Sequence, residues 1–340
     1  MYGLIKKDFE TSAHGEDLSP LWNSFINKTK RGRPHHIRVK GIWSISAPLD
    51  FTGFRGENTL DFTGTQLWAK FSSLNTAVFD MAGSSGVIVR ALRVFTLPGC
   101  SPGMGLLLCR DENLKSSGKH HFDACRFDGR FNLAAVYNVG SEMNQWFGGR
   151  VGNSGGKCSI YHGKFKKDSI HSPYISLGEG SSASGARFYG LHMLDTGYGD
   201  RAAFEVEGFR MISADSLYAA SARRTQLGFY TNRVAISGLH FPAVFFHGAK
   251  SIAPNRSVEI KGAHEAIGVN LDCASNRREM IVDVKEFRNS SITWTNAIPL
   301  TISDRTKIDN VRLNHYSESE AKVNYNPKSG DTLWVNGNRL

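Results

Sequence analysis

Val234-Ala235-Ile236-Ser237-Gly238-Leu239-His240-Phe241 is one copy of a pattern that recurs down the chain. The pattern is apolar-x-apolar-x-Gly-apolar-x-apolar. Phe204 to Met211 and Ala186 to Met193 repeat it closely. With looser matching there are twelve copies, whose fifth positions are Gly41, Gly64, Ala91, Gly129, Gly163, Gly190, Gly208, Gly238, Gly262, Glu286, Asn310 and Gly337. A period near two dozen residues means stacked supersecondary units.

The chemistry of the eight positions narrows the unit. Apolar residues two apart face one side of a strand. Glycine or asparagine at the fifth position tolerates a left-handed backbone, so the chain bends there. The apolar residues beyond begin a second strand facing the same interior. The expected fold is therefore all-β: a single-stranded right-handed parallel β-helix of about twelve coils. A leucine-rich repeat lacks its signature here, and propeller blades need longer steps. The copies at Gly129 and Gly163 have their next apolar residue (Phe131, Phe165) one place late, which a bulge would explain.

Each end of such a stack needs a cap. Ser19-Pro20 reads as an N-cap and first-turn proline, and Leu18, Leu21, Trp22, Phe25 and Ile26 form a stripe at helical spacing. A short capping helix is expected from Pro20 to Thr29. Residues 1–35 are thus read as an N-terminal lead and cap, and 36–340 as the β-helix domain. The last copy, Leu333 to Leu340, stops inside a repeat: either the chain is cut there, or another subunit or a further protein is expected to cover the open coil.

Composition excludes several classes. The formal net charge is +10 over 340 residues. No apolar run approaches 18 residues, so no membrane insertion is expected. The first residues lack the apolar core of a signal peptide, which points to synthesis in a cytoplasm without export. Five cysteines in no CxxC spacing suggest reduced, interior thiols such as Cys125 and Cys273. No metal or other cofactor is implied by the twelve histidines. The basic balance fits nucleic acid, anionic glycan or an anionic cell surface. No nucleic-acid motif appears, so an acidic polysaccharide is the expected partner.

The entry segment carries a family resemblance. Gly15-Glu16-Asp17, the Pro20–Thr29 helix, Gly41-Ile42-Trp43-Ser44-Ile45 with Pro48-Leu49, the coil through Leu60, Phe62 and Gly64, Val78-Phe79-Asp80 and Gly83 to Val89 follow in that order. Over residues 8–95 this order resembles the pectate-lyase-like superfamily, in particular the tailspikes of bacterial viruses; the rest follows by coil rhythm. The resemblance implies a homotrimer at the virion tail, joined to other tail proteins through its N-terminal segment. It also implies binding, and often cleavage, of host surface polysaccharide. The chain departs from the family in lacking the lyase-type cluster of calcium-binding aspartates and the usual intertwined C-terminal stem.

Outward positions form ladders when coils stack about 4.8 Å apart. The second position reads Arg187, Glu205, Ala235, Glu259, Asp283, Lys307, and the fourth Tyr189, Glu207, Ser237, Lys261, Lys285, Asp309. The seventh is wholly basic: His192, Arg210, His240, His264, Arg288, Arg312, Arg339. That ladder is either a glycan or partner face, or is paired with acidic loops or a neighbouring subunit.

Glu205 and Glu207 are the sharpest catalytic candidates. Two residues apart on a strand, their Cα atoms are ~7 Å apart, within the carboxylate spacing of glycoside hydrolases and nearer the inverting class. Small Ala235 and Ser237 on one side would admit a sugar. Arg187 and Tyr189 lie on the other, and Arg187 would hold Glu205 ionised as base and leave Glu207 the acid. The alternative is a plain Arg187–Glu205 surface ion pair. Long steps place insertions near 95–121, 133–157 and 212–232. Asp195, Asp200 and Asp215 are the reserve acids. Trp146, Tyr198 and Tyr218 are candidate sugar platforms, with Arg187, Arg210 and Arg223 as cations for an acidic glycan. A non-catalytic adhesin or structural tail component, and a polysaccharide-degrading enzyme outside any virus, remain the other readings.

Overall fold

In the computed structural model the described residues are 4–12, 14–109, 117–155, 158–163, 186–189, 192–195, 204–207, 212–215, 218–221, 225–230, 234–235, 257–261, 265–267, 270–273, 280–294, 299–316 and 322–340. They form one helix and many short strands, nearly all paired in parallel.

The chain visits three sheet faces in turn and returns to each one strand further on. On the first face Ile37, Leu60, Val89, Phe122, Trp146, Phe188 and Ala214 are successive register partners. On the second, Trp43, Leu67, Val94, Phe127, Val151, Met193 and Ala219 are. The third face is an eleven-stranded sheet whose strands follow chain order without exception. Its central column runs Leu49, Phe79, Leu106, Val136, Ile160, Phe204, Leu227, Val258, Met280, Leu300, Val323. Toward the C-terminal end a seven-stranded sheet takes over from the first two faces.

Ile37, Trp43, Phe79, Leu106, Val151 and Leu300 of these columns are buried in one continuous apolar core, which Val282 joins. Val282 and Val284 were both expected inside and both are buried. Stacked in register, each strand covers its neighbour's apolar face, and this burial is the main stabilising term.

Corners between the first two faces need a left-handed residue, and the structure identifies which. Gly41, Gly64 and Ala91 have φ of 102°, 80° and 51°, as the repeat predicts. The next two corners are Ala124 (φ 49°) and Gly148 (φ 58°), not Gly129 and Gly163. Gly129 ends the strand Arg126–Gly129, and a Cβ there would meet Thr96 Oγ1 at 2.7 Å. Its lack of a side chain serves close packing rather than a bend, and no bulge is needed. Cys158–Gly163 is a third-face strand. Farther on, Asn310 (φ 51°) is a corner as expected, but Asn289 (φ 49°) takes the place assigned to Glu286.

The helix runs Leu18–Lys28 and starts two residues early. Asp17, not Ser19, caps it, its carboxylate accepting from Ser19 N–H at 3.1 Å. Ser19 is instead buried, its hydroxyl donating to Ala47 O and accepting from the Ser46 and Ala47 amides. Leu18, Trp22 and Ile26 face inward, and Trp22 packs among Phe9, Phe51, Phe62 and Phe79 while its indole N–H bonds Asp50 O at 2.8 Å. Leu21, expected in the stripe, is exposed. The lead also pairs with the stack: Ile5–Glu10 lies parallel to His35–Lys40, and the strand His35–Ile45 runs across residues 35 and 36.

The last copy is not a coil. Leu333–Val335 turns back through Asn336 (φ 47°) and Gly337 (φ 81°) to pair antiparallel with Asn338–Arg339. Asn-Gly with both φ positive is the two-residue hairpin turn whose twist suits flanking strands. The stretch 133–157, read as an insertion, is an ordinary circuit of strands Ala134–Val139, Ser141–Glu142, Gln145–Phe147 and Arg150–Asn153. Among the described residues no helix is long and apolar enough to cross a membrane, and no group of metal-binding side chains is present.

Candidate functional site

The strand that carries Glu205 and Glu207 belongs to the third sheet. Phe204–Glu207 pairs with Cys158–Gly163 on one side and Thr225–Tyr230 on the other. Glu205 therefore has Tyr161 and Gly228 as register partners, and Glu207 has Tyr230. One strand further, Gly228 partners Glu259 and Tyr230 partners Lys261. The rows continue to Ile281, Thr301 and Asn324, and from Lys261 to Asp283. Glu205 and Glu259 are thus second neighbours across a glycine, ~9.6 Å apart at Cα level from the ~4.8 Å strand spacing.

This placement corrects the expected surroundings. Arg187 and Tyr189 sit on the first face, where their partners are Gln145 and Ser213, Phe147 and Asp215. Val234–Ala235 pairs with Ala266–Ile267 in the seven-stranded sheet. None is a register neighbour of Glu205, so the role split that depended on Arg187 lapses. The cause is physical: apolar-x-apolar-x-Gly fits a strand on any face, because alternation reports inside and outside and not which sheet.

The other candidates scatter. Asp195 and Tyr218 lie on second-face strands, partnered by Asn153 and Ser221, and by His192. Asp215 lies on the first face, opposite Tyr189. Tyr198, Asp200, Arg210 and Arg223 fall outside the described residues. Trp146 is no sugar platform. It is 1% exposed and stacks on Phe122 at 4.0 Å in the first-face interior column. Its neighbours Gln145 and Phe147 alternate outward, as strand geometry requires.

A groove that the sequence reading missed lies at the C-terminal end of the third-sheet face. Ile281, Asp283, Thr301, Ser303, Asp304, Asn324, Tyr325 and Asn326 line a cleft of about 680 Å³. Asp283 is held by Arg305, whose Nε lies 2.6 Å from Oδ1 and whose Nη2 donates to Asp283 O at 2.9 Å. Asn326 donates to Asp304 Oδ1 at 2.9 Å, and Lys328 Nζ donates to Asp304 O and, at 3.3 Å, to Thr306 O. Asn324 reaches Thr301 Oγ1 at 3.4 Å. Tyr325 donates its hydroxyl to Asp331 in a short bond. Burial first, then the Asp331 carboxylate, pushes the Tyr325 phenol above its ordinary range. Burial alone would raise Asp331, but bonds from Tyr325 and the Ile308 and Lys328 amides outweigh it and lower its pKa. The floor of the groove is fixed by these contacts, and its rim is hydroxyls, amides and two carboxylates. Such a lining can exchange many hydrogen bonds with a polyhydroxyl ligand.

The same face changes character along its length. At the N-terminal end the outward positions Leu107, Cys109, Tyr137 and Val139 belong to a second, separate buried apolar cluster. Polar lining begins in the later strands. The signal that would have found the groove is the run of short polar residues at Thr301-x-Ser303-Asp304 and Asn324-Tyr325-Asn326, alternating against buried Leu300 and Ile302. A scan against protein-family models matches none, and among curated proteins none matches.

Proposed function

We propose that the chain is a single-stranded right-handed parallel β-helix of about twelve coils that serves as a viral tailspike. It binds host cell-surface polysaccharide along the outer face of its third sheet. The observation that carries this reading is the polar groove between Ile281 and Asn326, in register with Glu259 and Glu205 on the same sheet. The strictly ordered parallel stack supports the fold, and the entry-segment resemblance supports a homotrimer joined to other tail proteins through its N-terminal segment.

The same face supports cleavage of the glycan by hydrolysis. Register puts Glu205 ~7 Å from Glu207 and ~9.6 Å from Glu259 at Cα level, close to the ~6.5–9.5 Å at which an inverting carboxylate pair leaves room for a water. One acid protonates the leaving oxygen while the other carboxylate takes a proton from the attacking water. Incubation with purified bacterial envelope polysaccharides tests this reading. New reducing ends support a depolymerase; binding without new ends supports an adhesin; absence of both contradicts the proposal.

A further inference from the structure

The outer side of the second face carries a row of arginines, Arg93, Arg126 and Arg150. Arg93, Arg126, Arg150 and His192 are register partners on four consecutive parallel strands, ~4.8 Å apart. Each arginine stands two residues past a left-handed corner, at Ala91, Ala124 and Gly148. The row is the basic seventh position of the repeat, continued toward the N-terminus once the corners are correctly placed.

One carboxylate serves this row. Asp128 Oδ2 accepts from Arg126 at 2.9 Å and from Arg150 at 3.1 Å. Arg93 is exposed and has no ion pair among the described residues. The Nε–H groups of Arg126 and Arg150 are buried without an acceptor, so a ligand would meet the exposed ends of the guanidinium groups. Both side chains keep 42% of their surface open. The Arg126 guanidinium lies 5.2 Å from the Phe95 ring centre, and Phe95 stacks on Trp68 at 4.8 Å. The flat groups hold one another along the row and restrict the side chain that presents the charge. Like charges stacked at this spacing repel, and among the described residues only Asp128 pairs with the row.

We infer that this face binds a linear acidic polysaccharide, whose successive anionic groups lie along Arg93, Arg126 and Arg150. The anion site stands on the row itself; only the choice of polysaccharide rests on the proposed function. Charge complementarity names an extended polyanion. A single-stranded nucleic acid would need open aromatic faces for its bases, and Phe95 is already engaged by Trp68 and Arg126. The face is distinct from the third-sheet groove.

The test uses the full chain and three fluorescent probes: polygalacturonate, neutral dextran and an oligothymidylate. Polygalacturonate is expected to bind with strong salt dependence, and dextran and oligothymidylate more weakly. The pair Arg93→Gln/Arg150→Gln should weaken polygalacturonate binding about tenfold and flatten the salt slope, while Arg38→Gln/Lys40→Gln, removing equal charge from the first face, should change it less than about twofold. Arg93→Lys/Arg150→Lys should retain most binding, which separates charge from packing. Asp128→Asn should tighten it. Equal losses in both neutralised pairs, or dextran binding as well as polygalacturonate, would overturn the site. Oligothymidylate binding more tightly than polygalacturonate would overturn the choice of polysaccharide. A groove-filling Thr301→Trp variant run in parallel should leave polygalacturonate binding at the row unchanged, so this test and that of the groove fail separately.

Discussion

Asp80 lies directly opposite Asp50 on adjacent parallel strands of the third sheet. Their environments differ. Asp50 pairs with Arg31 at 2.9 Å. Asp80 has the Ala82 amide at 2.9 Å as its hydrogen-bond donor. Burial, reinforced by the Asp50 charge and only partly offset by that amide, pushes Asp80 up to about 6 from 3.8.

The folded chain therefore holds this proton more tightly than the unfolded chain does. Its stabilising contribution is fully present below pH 3.8 and is lost as pH rises through about 6. Asp80→Asn should remove that loss. Its melting temperature relative to wild type should rise between pH 4 and pH 7. A difference that does not change with pH would contradict the assignment.

His120 titrates in the opposite sense. Burial pushes it down to about 3, so it stays neutral inside the fold, between the Ser84 and Ser117 hydroxyls and the Val87 amide. Its neutral form contributes stability above pH 6.5 that is lost as pH falls toward 3. His120→Gln should make the chain less sensitive to acid in that window, measured by denaturant midpoints at pH 4 and pH 7. The two effects overlap, which is why each is read against its own variant.

The corner assignment predicts a contrast between near neighbours. Asn289 has φ of 49°, where a β-branched residue is strained, so Asn289→Val should cost about 1–3 kcal/mol. Glu286→Val, three residues earlier and within a strand, should cost less. Equal costs in chemical denaturation would return the corner to Glu286.

That contrast also marks how far the sequence could be read. Gly41, Gly64, Ala91 and Asn310 were found because apolar residues flank them at fixed offsets. The interior positions Val282 and Val284 were legible for the same reason. The face on which a strand sits was not. Phe204-x-Val206-x-Gly208 and Ala186-x-Phe188-x-Gly190 read alike, yet one belongs to the third sheet and the other to the first. Only the pairing partner separates them, and partners lie a full circuit away in sequence. Ala124 does not stand out because His120 breaks the apolar first position of its copy, whereas Cys125-x-Phe127-x-Gly129 fits the pattern. The groove at Thr301 and Asn324 escapes the sequence because its two short polar runs lie a full circuit apart and only strand pairing brings them together.

Of the carboxylates, Glu205, Glu207 and Glu259 share the third-sheet face, so their glutamine variants should behave as a set. If wild type releases reducing ends, the two that act as acid and base should each lose at least about a hundredfold in rate while binding stays near wild type. Asp195→Asn and Asp215→Asn, on other faces, should retain activity. The reverse pattern would move the chemistry to those acids.

Assembly is read from light scattering at micromolar concentration. The expected mass is about three times the 37.5 kDa chain. A well-folded monomer by circular dichroism would contradict the trimer and leave the outer faces free for glycan alone.

The central claim is that the third-sheet groove holds host surface polysaccharide. Its most direct test is calorimetric titration of the full chain with a panel of purified bacterial surface polysaccharides, repeated with Thr301→Trp and Asn324→Trp, which fill the groove between Asp283 and Asn326. The account predicts that at least one polysaccharide binds wild type and that both variants weaken it by about tenfold or more, as blocking a central contact does. A polysaccharide that binds the filled variants as tightly as wild type, or a panel with no binder, would contradict it.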